Sequence, residues 1–112
     1  MSEKGYCVVL TTTDSQSEAD LLARMLVAEK SAACVQIMPI TSVYSWQDAL
    51  HQDAEFLLLI KTRSERYSLV EASILKHHSY EVPEIILLPV DRGYQPYLQW
   101  MDVQTGDDAP PG

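Results

Sequence analysis

The sequence is short of cysteine and of positive charge. Its two cysteines, Cys7 and Cys34, are too few for a disulfide framework and are not spaced as a C-x-x-C pair, so both are expected to be free thiols. Eight Lys and Arg residues against sixteen Asp and Glu residues give a formal net charge of −8 at pH 7. Because contact with phosphates needs a basic face, this charge argues against nucleic acid as a partner.

Long apolar segments are also missing. The strongest apolar run, residues 56–60, is far shorter than the roughly 20 residues needed to cross a bilayer. The first residues lack the basic start and apolar stretch of a secretory signal. We therefore expect a cytoplasmic protein with no membrane partner. A length of 112 residues predicts one domain with a single core.

Strand and helix patterns alternate in the first half of the chain. Residues 6–12 are β-branched and apolar on both faces, which is typical of a central strand. Ser15 and Glu18 have capping-box spacing and open a helical apolar stripe. A long strand is predicted over residues 34–46, with a bulge or bend at Pro39, where the apolar alternation changes phase.

The same alternation continues in the second half. Thr62 and Glu65 have capping-box spacing and predict a helix that ends near His77 or His78. The sequence predicts a polar connection at residues 47–54 and a buried strand at 55–62. It also predicts a strand bounded by prolines at 83–90, a short closing helix at 95–101 and a disordered tail at 104–112.

The resulting order, β-α-β-β-α-β with a short C-terminal helix, predicts an α+β fold, the ferredoxin-like sandwich, over residues 1–103. In this topology the second strand lies at the edge of the sheet. Tyr44 and Trp46 near its end would leave that edge apolar and open, so we predict a homo-oligomer that covers it.

Three other functions of this fold are disfavoured. The central strands lack the Lys/Arg-Gly-aromatic pattern of a nucleic-acid binder. The first loop reads TTTD, where a copper chaperone would carry C-x-x-C. An acylphosphatase-like enzyme would need an asparagine, and the chain has none.

The segment ILKHHSYEVPEI, residues 74–85, contains two adjacent histidines. Neutral imidazole binds copper, zinc and nickel, and Glu81 or Glu84 could supply charge to such a site. Histidines at a helix C-terminus equally satisfy end carbonyls and favour the helix dipole. The two glutamates could also pair with Lys61, so the local pattern leaves both interpretations open.

Several segments together resemble one family. They read LVAEKSAACVQIMPITSVYSW, EFLLLIKT, HHSYEVPEIILLPV and YLQW, in this order. This is the pattern of the CutA, or divalent-cation tolerance, proteins, and the resemblance extends from about Tyr6 to Trp100. It implies a ferredoxin-like subunit in a homotrimer, a link to copper and other divalent metals, and a likeness to PII-type signalling trimers. No chemical reaction is securely attached to the family.

The resemblance also implies site residues. His77 and His78 match the family's histidine pair, and Thr11 stands at the position where some members have a cysteine ligand. A hydroxyl is a poorer copper ligand than a thiolate, which favours Cu(II), Zn(II) or Ni(II) over Cu(I). Ser79 replaces a proline found in many relatives. The residues that match the family's cleft are Tyr44, Trp46, Glu55, Lys61, Tyr80, Glu84 and Trp100.

Three hypotheses follow for the function. The first is a non-enzymatic, trimeric protein that binds a divalent metal of the copper type and acts in metal tolerance. The second is a PII-like sensor that holds a small anionic ligand, with Lys61 in a cleft between subunits. The third, an enzyme with a histidine base, ranks last because nothing in the sequence marks a nucleophile or cofactor.

Overall fold

The computed structural model describes residues 5–106 as four strands and three α-helices. The strands are β1 (Tyr6–Thr13), β2 (Cys34–Trp46), β3 (Ala49–Arg63) and β4 (Ile86–Val90), and the helices are α1 (Gln16–Ala28), α2 (Tyr67–His77) and α3 (Gln95–Thr105). The sheet is antiparallel, with the order β2-β3-β1-β4. The predicted α+β class, element order and edge position of β2 are confirmed.

The hydrophobic core lies between the sheet and the two helices α1 and α2. Val9 of β1 and Ile60 of β3 are cross-strand partners and fully buried. Leu22 and Leu26 of α1 pack against them, and Ile74 of α2 closes the layer. Because strand side chains alternate, the intervening positions face the opposite side of the sheet.

The long hairpin of β2 and β3 differs from the sequence prediction in two ways. β2 pairs with β3 in one register from Cys34 opposite Lys61 to Trp46 opposite Ala49, so the bulge predicted at Pro39 is wrong. An edge strand tolerates proline because its missing amide can face solvent. The predicted polar connection is also wrong, since only residues 47 and 48 form the turn, both with positive φ, as in a type I′ hairpin.

The start of α1 confirms half of the predicted capping box. The Ser15 hydroxyl accepts a hydrogen bond from the Glu18 amide at 3.1 Å. The Glu18 carboxylate does not return to Ser15; it accepts hydrogen bonds from the amide and hydroxyl of Ser79. Glu18, which was predicted to cap α1, therefore joins α1 to the segment that follows α2.

The second predicted capping box is wrong. Thr62 lies inside β3, fully buried, and its hydroxyl donates to the carbonyl oxygen of Ser31 at 2.6 Å. A 3-10 turn, Ser64–Arg66, leads into α2, and its N-cap residue makes no side-chain capping bond. The threonine at this position secures the loop before β2, not the start of a helix.

α3 lies on the face of the sheet opposite α1 and α2 and is longer than predicted. Arg63 donates from Nε to the hydroxyl of Thr105 at 2.8 Å and from Nη2 to its carbonyl oxygen at 2.7 Å. The Tyr6 hydroxyl donates to Asp102 at 2.9 Å. Residues 104 and 105 of the predicted tail thus belong to α3, whereas 107–112 lie outside the described residues.

None of the helices within residues 5–106 has both the length and the apolar character needed to span a bilayer.

We expect Thr62→Val to lower the free energy of unfolding by about 1–3 kcal/mol, because the buried carbonyl of Ser31 loses its donor. The matched control is Thr41→Val on the exposed side of β2, which should change it by less than about 0.5 kcal/mol. Urea unfolding at equal protein concentration measures both. Equal effects of the two variants would contradict the assigned bond.

Candidate functional site

The two adjacent histidines have different environments. α2 ends at His77, and His78 is extended with ψ 143°, so the backbone leaves helical geometry between the two rings. The exposed His77 ring places Nδ1 3.0 Å from the carbonyl oxygen of Ser73, one turn back on α2. Because a carbonyl only accepts, Nδ1 carries the proton and Nε2 is the lone-pair nitrogen.

The side chain of His78, in contrast, is buried and only 1% exposed. Its Nε2 donates to the carbonyl oxygen of Thr12 at 2.6 Å, and its Nδ1 accepts the amide of Tyr80 at 3.0 Å. The carboxylate of Glu18 lies 3.8 Å from Nδ1. Both ring nitrogens are therefore engaged by backbone groups, which fixes the neutral tautomer with the proton on Nε2.

Thr11, the third predicted ligand, does not join the histidines. It is fully buried on the side of the sheet that faces α1 and α2, and its hydroxyl has no hydrogen-bond partner among the described residues. Cys7 lies on the same face, and burial raises the pKa of its thiol, which disfavours a metal-binding thiolate. Within residues 5–106, no group of three or more His, Cys, Asp and Glu side chains is arranged to hold an ion.

A cleft of about 580 Å³ opens between the hairpin and the loop that joins α2 to β4. Its lining residues are Thr12, Ser42, Val43, Tyr44, Trp46, Glu55, Tyr80, Glu81, Val82 and Glu84. Five of the seven predicted cleft residues are thus brought together, from β2, from β3 and from the loop.

Tyr80 and Glu55 form the centre of this cleft. The Tyr80 hydroxyl donates to Oε2 of Glu55 at 2.5 Å, and the ring of Tyr80 lies 4.7 Å from that of His78. Burial, followed by the hydrogen bond and the charge of Glu55, raises the pKa of Tyr80 well above its ordinary value. The phenol therefore stays protonated and acts as a donor at neutral pH.

Tyr44 is fixed on the hairpin by two contacts. Its hydroxyl donates to Asp53, and its ring stacks on His51, its cross-strand partner, with ring centroids 5.3 Å apart. The hydrogen bond to Asp53 is the main cause that raises the pKa of Tyr44. The Tyr44 ring is thus held in place by side chains of β3.

Lys61 and Trp100 do not line this cleft of the single subunit. Six residues separate Lys61 from Glu55 along β3, a distance of about 20 Å. The ammonium of Lys61 lies 5.8 Å from the centre of the Tyr97 ring on α3, and Trp100 stacks on the same ring at 5.5 Å. These residues attach α3 to the far end of the sheet.

The sequence analysis missed half of the lining residues. Ser42 could have been found, because it shares a face of β2 with Tyr44 at a spacing of two residues. Val82 and Thr12 could not, since the position of the α2–β4 loop over β1 depends on the buried bond from His78 to the Thr12 carbonyl.

The topology, the added helix α3 and the cleft define the chain as a small α+β domain of the βαββαβ class with a surface cleft. The profile of the CutA1 divalent ion tolerance protein family matches residues 7–104. This chain belongs to that family.

Individual relatives agree over most of the chain. The divalent-cation tolerance protein CutA of Thermus thermophilus is 42% identical over 100 residues, which are 88% of this chain and 97% of the relative. The periplasmic CutA structure from Archaeoglobus fulgidus aligns with a TM-score of 0.88 at 35% identity, over 89% of this chain and 98% of its own. CutA1 from Shewanella sp. SIB1 aligns with a TM-score of 0.89 at 34% identity, over 95% and 100% of the two chains.

Substitution of the two histidines should have different effects on the free energy of unfolding. We expect His78→Ala to lower the free energy of unfolding by about 2–5 kcal/mol, because two backbone groups lose their partners and a cavity opens. The matched neighbour, His77→Ala, should change it by less than about 0.5 kcal/mol. Chemical unfolding checks the difference, and equal losses would show that His78 is not the structural member of the pair.

Proposed function

We propose that this chain is a non-enzymatic, cytoplasmic protein of divalent-cation tolerance that binds Cu(II), and less strongly Zn(II) or Ni(II), as an exchangeable ion. The family supports a role in metal tolerance. The observation that carries the proposal is the exposed imidazole of His77, whose Nε2 lone pair is left for an ion by the bond from Nδ1 to Ser73. Imidazole is a good ligand for these metals.

The side chains available as metal ligands fit reversible binding of an ion better than permanent binding. His78 uses both nitrogens internally, and the Thr11 hydroxyl faces the core. One exposed imidazole with solvent molecules would form an open site. An open site with few ligands releases its ion readily, as a protein that buffers an excess of metal requires.

A titration of tag-free protein with Cu(II) and Zn(II) tests this proposal. We expect His77→Ala to remove the stoichiometric heat of binding. The matched control is His51→Ala, an imidazole on the hairpin that stacks on Tyr44, and it should bind as the unaltered protein does. Binding that is the same in all three proteins would show that His77 is not the ligand, and no binding in any would contradict the metal function itself.

The PII-like alternative receives no support from the cleft. That hypothesis placed Lys61 in a cleft between subunits, and within the single subunit Lys61 lies beside Tyr97 of α3 and does not line this cleft. The lining contains Glu55, Glu81 and Glu84 and neither Lys nor Arg. An anion placed there would be repelled by these carboxylates.

We further propose that the subunit assembles as the homotrimer that the family resemblance implies, through the sheet face opposite α1 and α2. Leu88, Ile86 and Met38 lie on this face and are 45–48% exposed. Half-buried Leu57 and Leu59 extend the apolar surface across β3. A continuous apolar sheet face of this kind is usually covered by another chain.

Leu88→Glu should convert the assembly to smaller species, because each interface would have to bury an unpaired carboxylate. The matched control is Val27→Glu on the outer side of α1, since Val27 is 44% exposed and Leu88 46%. Sedimentation velocity measures both. A monomeric unaltered protein, or a Leu88→Glu variant of unchanged size, would contradict assembly through this face.

A further inference from the structure

Cys34, Lys61 and Tyr97 form a cluster of reactive side chains at the end of the sheet that α3 covers. Cys34 is the first residue of β2, and its cross-strand partner on β3 is Lys61. The amide of Ala33 donates to the carbonyl oxygen of Lys61 at 2.9 Å, which fixes this end of β2 against β3. Directly opposite residues project from the same face of a sheet, with their Cβ atoms about 5 Å apart. The Cys34 thiol and the Lys61 ammonium group therefore lie beside each other.

Tyr97 of α3 contacts both of these groups. The ammonium nitrogen of Lys61 lies 5.8 Å from the centre of the Tyr97 ring. Burial, followed by the charge of Cys34 and a hydrogen bond with its side chain, raises the pKa of Tyr97 above its ordinary value. The Tyr97 hydroxyl therefore keeps its proton at neutral pH and donates a hydrogen bond to the Cys34 sulfur.

Lys61 carries a positive charge that no carboxylate neutralises in the part of the chain that the structure describes. It forms no ion pair within residues 5–106. Its cross-strand neighbours are Val8 on β1 and Cys34 on β2, neither of them acidic, and its side chain is only partly exposed. A partly buried cation beside a thiol attracts the thiolate, and it also attracts an anionic group on an approaching reagent.

The two cysteines of the chain differ in access. Cys7 is fully buried on the helix side of the sheet, and burial raises the pKa of its thiol. Cys34 is partly exposed and lies on the edge strand β2, so no strand among residues 5–106 shields its outer side. The thiolate is the nucleophile in thiol–disulfide exchange, and partly exposed cysteines in electropositive surroundings supply it. Of the two cysteines, Cys34 alone meets these conditions.

We propose that Cys34 is a site of reversible S-thiolation by small disulfides that carry a carboxylate, which Lys61 attracts. The Cys34 thiol releases its proton to solvent, and the thiolate attacks one sulfur of the disulfide. A new S–S bond forms to Sγ, the original S–S bond breaks, and the second sulfur leaves as a thiolate that takes a proton from solvent. The disulfide is the oxidant, and excess thiol reverses the exchange. The inference does not depend on the metal proposal.

The rate of adduct formation on the native protein tests this inference, measured by intact-protein mass spectrometry with EDTA present. The two reagents are 3,3′-dithiodipropionate, which is anionic, and cystamine, which is cationic. We expect one adduct per chain, absent in Cys34→Ser, and a rate roughly fivefold higher with the anionic reagent. The net charge of −8 would by itself favour cystamine, so this order of rates requires a local positive charge.

Substitutions of Lys61 identify the source of that charge. Lys61→Met should slow the reaction with dithiodipropionate by roughly tenfold, because both the thiolate and the reagent lose their cation. Lys61→Arg keeps the charge and should keep the rate within about twofold. The matched control is Lys76→Met, an exposed lysine at the end of α2, which should leave the rate unchanged.

Cys7 reports whether each variant is folded, since its buried thiol becomes reactive only on unfolding. Should Lys61→Met be unfolded by this criterion, the order of the two reagents on the unaltered protein decides. A faster reaction with cystamine, equal losses of rate in Lys61→Met and Lys76→Met, or no adduct on Cys34 of the native protein would each overturn the proposal.

Discussion

The unbroken pairing of β2 with β3 is the constraint on which the rest of the molecule depends. Thirteen residues of β2 share one register with β3, through a two-residue turn. Because the side-chain period of a strand is two, a slip of β3 by one residue against its neighbours would exchange the two faces of β3. Ile60 would leave the core, and Glu55 would move from the cleft to the helix side. Core and cleft are therefore specified by the same set of backbone hydrogen bonds.

Local signals predicted the elements well and their ends poorly. The Ser15 cap and the apolar stripe of α1 were predicted correctly because both depend on residues that are close together in the sequence. The turn at residues 47 and 48 was missed because a Gln-Asp pair lacks the glycine or asparagine that usually marks a type I′ turn. Thr62 looked like a cap, but tertiary structure gave its hydroxyl to Ser31, a partner 31 residues away.

In the candidate site, too, local features were predicted correctly and contacts between distant residues were not. Sequence reasoning found Tyr44, Trp46 and Glu55, whose common face follows from strand alternation and pairing. It also placed Lys61 near the cleft glutamates, and within one subunit the length of β3 separates Lys61 from Glu55. The different roles of His77 and His78 could not be predicted, since the contact between His78 and Thr12 spans 66 residues. Only the folded chain shows that one imidazole is buried and the other exposed.

His78 connects the histidine segment to the cleft, although it does not line the cleft itself. Its Nδ1 holds the Tyr80 amide, the Tyr80 hydroxyl holds Glu55, and its Nε2 holds the loop against β1. An ion at Nδ1 would have to displace the Tyr80 amide and so disturb the donor that occupies one oxygen of Glu55. Because of this cost, we expect the His78 imidazole to stay free of metal and to hold Tyr80 in position in the cleft. The adjacent histidines thus have different roles. His77 is exposed to solvent, and His78 is packed behind Tyr80, where it supports the cleft.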